Sequence, residues 1–155
     1  MDKEMGKLDA KSIFHPKWWL IGVGTVFTII GLMAYFDGEG SAETAWGEQG
    51  YTEDGTKISP YPVDVFYEQA WASNIIWVAI IALASGFLIE GRALSIIAMA
   101  ISGGYVLSFI LQSLANTHLE SLDLSYGYLE PANAAPGLIA AAGLFLSGFL
   151  HLEEE

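Results

Sequence analysis

Three histidines are the residues of this chain with the broadest chemistry. His15 precedes Pro16 near the start of the sequence, His151 lies near its end, and His118 lies between them. A neutral imidazole is a good metal ligand, and two imidazoles can hold one haem iron from opposite faces. His15 and His151 are therefore candidates for a shared haem iron, although their positions in the sequence say nothing about their distance. The sequence itself requires no cofactor.

A second candidate site is the acidic stretch of residues 37–48. Its side chains match four oxygen-donating positions of a calcium-binding loop, namely the first, third, fifth and last, with Asp37, Glu39, Ser41 and Glu48. Ala42 stands where the loop requires a glycine for its sharp turn, and no soluble helix leads into the stretch. We therefore expect a solvated acidic loop here, with a calcium site as the weaker alternative.

Several reaction classes are excluded or left without support by composition. The chain has no cysteine, so it has neither disulfides nor thiolate chemistry. Its net charge of -12 argues against nucleic acid as a partner, because both surfaces would be negative. We find no glycine-rich phosphate loop after a strand and no nucleophilic serine elbow. The sequence thus names no reaction, and an enzyme acting alone ranks below a non-catalytic role.

Four apolar runs must position these polar residues. They cover residues 18–36, 71–89, 93–115 and 134–152, and none contains Asp, Glu, Lys or Arg. Each is close to the ~20 residues that a helix needs to cross a hydrocarbon core of ~30 Å. The runs are apolar on all faces, unlike the helices of soluble proteins. We predict an all-α, polytopic integral membrane protein with four transmembrane helices in a single membrane domain, residues 1–155.

Basic residues predict the orientation of the four spans. Alternation places the leader 1–17, the turn 90–92 and the tail 153–155 on one side, and the loops 37–70 and 116–133 on the other. Five of the six basic residues lie on the first side, with Lys17 and Arg92 closest to the spans. Because loops rich in Lys and Arg stay in the cytoplasm, we expect the plasma (inner) membrane, cytoplasmic termini and outer acidic loops.

The connections carry local signals of their own. Asp54-Gly55 predicts a hairpin over residues 51–58, and Pro62 suits the first turn of a helix that leads into the second span. We therefore expect the outer loop to be ordered. The turn at Glu90-Gly91-Arg92 is so short that we predict a tight antiparallel hairpin of the second and third spans, with Gly91 at positive φ.

Small residues recur at helical spacing along the spans. In lipid, such faces let helix backbones approach closely. The longest stripe ends in an amide, and two shorter stripes lie on other spans: Ala100, Gly104, Ser108 and Gln112; Gly143 and Ser147; Ala82 and Gly86. They predict either packing within this chain's own bundle or docking on the helices of another subunit.

The sequence leaves two functions open. The first is a non-catalytic accessory or scaffold subunit of a larger membrane complex, whose partners are the lipid bilayer and other membrane subunits. The second is a small homo-oligomeric transporter or channel, whose acidic outer mouth would concentrate cations. The spans offer such a path only a few polar groups, which are Ser102, Ser108 and Gln112.

Overall fold

The computed structural model of the chain describes residues 10–46, 62–120 and 127–153, and every regular element in these ranges is helical. The helices are α1 (Ala10–Ile13), α2 (Pro16–Phe36), α3 (Gly38–Trp46), α4 (Pro62–Leu88), α5 (Gly91–Glu120) and α6 (Pro131–Leu150), with one 3₁₀ turn at Gly127–Leu129. Four of them, α2, α4, α5 and α6, are long and apolar enough to cross a membrane. The prediction of an all-helical chain with four such helices is confirmed.

The helix bounds differ from the apolar runs mainly at one end of the bundle. Helix α4 begins at Pro62, as the proline predicted, and continues without a break to Leu88. Its 27 residues correspond to about 40 Å, which exceeds a hydrocarbon core of ~30 Å. The hairpin predicted over residues 51–58 lies outside the described residues.

The two ends of the bundle are built differently. The cap end carries α3 and the 3₁₀ turn, together with the starts of α4 and α6. The turn end carries the start of α2, the connection from α4 to α5 and the end of α6. A core near the turn end joins all four long helices through five buried residues: Leu20, Ala82, Leu94, Ala98 and Leu144.

Helix α2 packs chiefly against α4. Glycines bring the two backbones together, because a Cβ added to Gly24, Gly31 or Gly86 would lie closer than 3.0 Å to an atom of the facing helix. For Gly24 the obstacles include the backbone oxygen of Ala79, at 2.9 Å. Any larger residue would therefore push the helices apart, and this pair depends on small residues as helix pairs in lipid do.

Helix α5 packs chiefly against α6. Two buried hydroxyls cross this interface: Ser95 Oγ donates to the His151 carbonyl at 3.1 Å, and Ser102 Oγ donates to the Ala141 carbonyl at 2.7 Å. The close approach occurs at Gly148, where an added Cβ would lie 2.5 Å from the Ser95 carbonyl oxygen. The bundle is thus two helix pairs joined at the turn end.

The connection between α4 and α5 is as short as the sequence predicted. Only Ile89 and Glu90 separate the helices, and Gly91 takes φ 61°, which confirms its predicted conformation. Yet α4 and α5 contact each other far less than each contacts its main partner. The turn is tight, but α4 and α5 each pack chiefly with another helix, because Gly86 of α4 faces α2 while Gly137 and Gly148 of α6 face α5.

Candidate functional site

The longest predicted stripe of small residues lies on an open face of α5. Ala100, Gly104 and Ser108 are exposed. A Cβ added to Gly104, or to the adjacent Gly103, would meet no other atom within 4 Å. No part of the described chain packs against these two glycines.

The shorter stripes are buried within the chain's own bundle. Ser147 is fully buried and Ala82 is 2% exposed. Gly143 lies against the ring of Trp19, and Gly86 lies against Ile21. These shorter stripes therefore take part in packing within the chain, whereas no described residue packs against Gly104 of the α5 stripe.

An apolar groove between α5 and α6 borders the open face. Its volume is about 510 Å³, and one of its lining residues, Gly103, is the chain neighbour of Gly104 in the α5 stripe. Large apolar side chains form most of its surface, among them Val106, Leu107, Ile110, Leu138 and Phe145. The groove and the stripe together form a continuous surface, which we call the α5 face.

The α5 face also carries a polar pair. Gln112 Nε2 donates to Ser108 Oγ at 2.9 Å, so one amide N–H is satisfied within the helix itself. Polar groups are costly in an apolar medium unless they are hydrogen-bonded. This pair can offer further hydrogen bonds to whatever covers the face.

A polar cluster lies at the cap end. The ring of Tyr128 stacks on Trp71 with centroids 5.1 Å apart, and its hydroxyl hydrogen-bonds to Ser41. Burial raises the pKa of Tyr128, the Ser41 hydrogen bond lowers it, and the charge of Glu68 raises it. Glu68 itself is only 2% exposed.

The burial of Glu68 was not predicted, because the sequence places it among several acids of a polar loop. The spacing of residues in α4 could have indicated it, because Glu68 precedes the buried Ala72 by one helical turn and both lie on the same side of the helix. The cluster ties α3 and the 3₁₀ turn to the start of α4.

The calcium template coincides largely with helix α3. Ser41 Oγ donates to the Ala34 carbonyl at 3.2 Å, and Asp37 Oδ1 accepts the Gly40 N–H at 3.3 Å. These oxygens serve the junction of α2 and α3, and the geometry of a calcium loop is not adopted over residues 37–46. Glu48 lies outside the described residues. Within the described ranges, no group of three or more His, Cys, Asp or Glu side chains could hold a metal ion.

The two candidate haem ligands are brought together at the turn end. The rings of His15 and His151 lie 5.0 Å apart, centroid to centroid, at an interplanar angle of 59°. With metal–nitrogen distances of about 2.0 Å, two imidazoles on opposite faces of a haem need centroids about 6 Å apart. The pair therefore does not fit a shared haem iron as it stands.

Backbone groups hold both imidazole rings. His15 caps the N-terminus of α2, and its Nδ1 accepts the Lys17 N–H at 3.3 Å. His151 follows the last residue of α6, and its Nδ1 lies 2.9 Å from the Ser147 carbonyl oxygen. Since a carbonyl can only accept, His151 Nδ1 carries the proton, and its Nε2 has the lone pair when the ring is neutral.

The two predicted topology determinants also lie at the turn end. Lys17 is in the first turn of α2, and Arg92 is in the first turn of α5. The acids Glu39 and Glu43 lie on α3 at the cap end.

Comparison of the chain with protein-family models, curated proteins and solved structures gives no match.

Proposed function

We propose that this chain is a non-catalytic accessory subunit of a larger membrane protein complex, and that it docks on a transmembrane helix of a partner subunit through the α5 face. One observation carries the proposal. Gly24, Gly31, Gly86, Gly143 and Gly148 are all in close contact with facing helices, while Gly103 and Gly104 meet nothing within 4 Å. Gly22 of α2 is open in the same way, but Gly103 and Gly104 also lie beside the groove between α5 and α6 and on the helix that carries the Ser108–Gln112 pair.

Physical reasons favour a helix as the occupant of the α5 face. Helices in lipid associate through small residues and a few interhelical hydrogen bonds. The α5 face offers both, since Gly103 and Gly104 permit close backbone approach and the Ser108–Gln112 pair offers hydrogen bonds. The face carries no charged residue from Ala100 to Gln112, which matches an apolar partner surface within the bilayer.

The alternative of a small homo-oligomeric transporter or channel has less support. Ser102, one of the few polar groups in the spans, is 3% exposed and donates to Ala141 within the bundle. Ser108 and Gln112 hydrogen-bond to each other. Of the three polar groups that would line a path, Ser102 is therefore engaged within the bundle, and only the Ser108–Gln112 pair remains.

The proposed location is the plasma (inner) membrane, with the turn end and both termini in the cytoplasm and the acidic cap end outside. Support comes from Lys17 and Arg92 at the turn end, because basic residues flank cytoplasmic helix ends. A reporter fused to each terminus should respond as a cytoplasmic protein, and external signals from both would contradict this orientation.

Substitution of Gly104 tests the docking surface. Gly104→Leu fills the open face without a clash inside the chain, and Gly22→Leu is the matched control because Gly22 is equally open on α2. We expect Gly104→Leu to reduce co-purification of a specific membrane polypeptide at least tenfold from mild detergent, and Gly22→Leu to leave it unchanged.

The absence of native cysteine sharpens the experiment. A single Ser108→Cys substitution should cross-link to that same polypeptide, whereas Gly22→Cys should not. A preparation containing only this chain, or equal recovery of the partner with both leucine variants, would contradict the subunit proposal.

A further inference from the structure

The two ends of the described chain meet at one pair of side chains. His15 lies before α2 and His151 lies after α6, yet their rings are 5.0 Å apart. His151 is 4% exposed, so its ring is held inside the turn end and not in solvent. Neither the proposed docking role nor the packing of the four long helices uses this pair.

The distance between the rings corresponds to a small metal-ion site. With metal–nitrogen distances of about 2.0 Å, two imidazoles that bind one tetrahedral ion have ring centroids about 5 Å apart. The observed 5.0 Å agrees with this value. The same distance is shorter than the about 6 Å that two ligands on opposite faces of a haem require.

The hydrogen bond of His151 also matches that of a metal ligand. A histidine that binds a metal usually donates its other ring N–H to a carboxylate or a backbone carbonyl, which fixes the ring and its tautomer. His151 does so through Nδ1 and the Ser147 carbonyl oxygen, at 2.9 Å. Its Nε2 is therefore the ligating atom in the neutral ring.

His15 requires one adjustment. Its Nδ1 accepts the Lys17 N–H, so the neutral ring carries its proton on Nε2. Ligation through Nε2 moves that proton to Nδ1 and breaks a hydrogen bond that is already long, at 3.3 Å. Ligation through Nδ1 replaces the same bond and leaves the proton in place. At His15, either way, one weak hydrogen bond is exchanged for a metal–nitrogen bond.

We propose that His15 and His151 form a binding site for a divalent transition-metal ion such as Zn²⁺ or Cu²⁺, with water completing the coordination. Imidazole nitrogen suits these ions. The C-terminal carbonyl end of α6 favours a cation beside His151, while Lys17 and the N-terminal end of α2 oppose one beside His15. A bound ion would connect the start of α2 to the end of α6. The proposal is independent of the docking function.

Metal titration of the full chain tests this site. The protein is purified in detergent through a tag without histidine, stripped with a chelator and titrated with Cu²⁺ and Zn²⁺ by calorimetry. We expect one ion per chain, and a loss of affinity of at least about tenfold in His15→Gln and in His151→Gln. His118→Gln is the matched control, because it removes the third histidine of the chain and leaves the pair intact.

A spectroscopic readout covers the possibility that a histidine variant folds poorly. The electron paramagnetic resonance spectrum of the Cu²⁺-loaded wild type should show coordination by two imidazole nitrogens, and His118→Gln should show the same spectrum. Absence of binding, unchanged affinity in folded His15→Gln and His151→Gln, or an equal loss in His118→Gln would overturn the proposal.

Discussion

Gly148 offers the most direct test of how α5 and α6 are held together. In Gly148→Ala the new Cβ would lie 2.5 Å from the Ser95 carbonyl oxygen and 2.7 Å from Met99 Cγ. The methionine side chain can move, but the carbonyl oxygen belongs to the helix backbone. Since carbon–oxygen contacts need about 3.3 Å, the two helices must separate locally by several tenths of an ångström.

The expected cost follows from three contributions. Overpacking of this kind costs about 1–3 kcal/mol. The separation also weakens the nearby Ser95–His151 hydrogen bond, and interhelical bonds in membranes contribute about 0.6–1.7 kcal/mol. Replacing glycine by alanine returns up to about 1 kcal/mol of helix propensity. We expect Gly148→Ala to lower the free energy of unfolding by about 2 kcal/mol.

A matched variant removes the propensity contribution from the comparison. Gly104→Ala gains a similar helix propensity but adds its Cβ in open space. The difference in unfolding free energy between the two variants therefore isolates the clash at Gly148. It is measured by unfolding both in detergent with increasing sodium dodecyl sulfate, followed by circular dichroism. If Gly148→Ala is as stable as Gly104→Ala, the close approach of α5 and α6 at Gly148 is refuted.

Two further predictions concern the ends of the bundle. Burial raises the pKa of Tyr128 above its ordinary value of about 10, so the unfolded chain loses this proton at lower pH than the folded one. This contribution to the free energy of unfolding is fully present below pH ~10 and is lost as the pH rises through the folded pKa. When the free energy of unfolding is measured at increasing pH, it should therefore decline less in Tyr128→Phe than in the wild type. Equal declines would contradict the raised pKa. At the turn end, Gly91→Ala places a side chain at φ 61°, which costs about 1 kcal/mol, while Gly22→Ala gains up to about 1 kcal/mol of helix propensity. Gly91→Ala should therefore be about 2 kcal/mol less stable than Gly22→Ala in the same unfolding assay, and equal stability would contradict a strained turn.

Features that depend on local composition could be predicted from the sequence. The four long apolar helices follow from runs of uncharged residues, because a run of the length needed to cross a hydrocarbon core can be recognised in a single segment. The start of α4 at Pro62 and the positive φ of Gly91 follow from the backbone restrictions of proline and the freedom of glycine. Each of these is determined within a few neighbouring residues.

Features that depend on which helices pair could not be predicted in this way. The short turn at Gly91 makes α4 and α5 neighbours in the chain, but it could not show that α4 packs chiefly with α2, where Gly24, Gly31 and Gly86 bring the two backbones together. The sequence showed stripes of small residues on several spans and could not tell which stripe would stay open. That depends on how all the faces are paired at once.

At the candidate sites too, residue types could be read from the sequence, whereas the distances between residues required the tertiary structure. Residue types nominated His15 and His151, and only the tertiary structure brings their rings to 5.0 Å, a distance that agrees with a small metal ion and not with haem. Glu68 appeared as one acid of a polar loop, and its burial arises because α3 and the 3₁₀ turn join the start of α4 at the cap end. The sequence by itself determined the number and the apolar character of the long helices, since these are properties of single segments. The tertiary structure decided which faces are covered, because contacts between distant segments depend on the packing of all four long helices together.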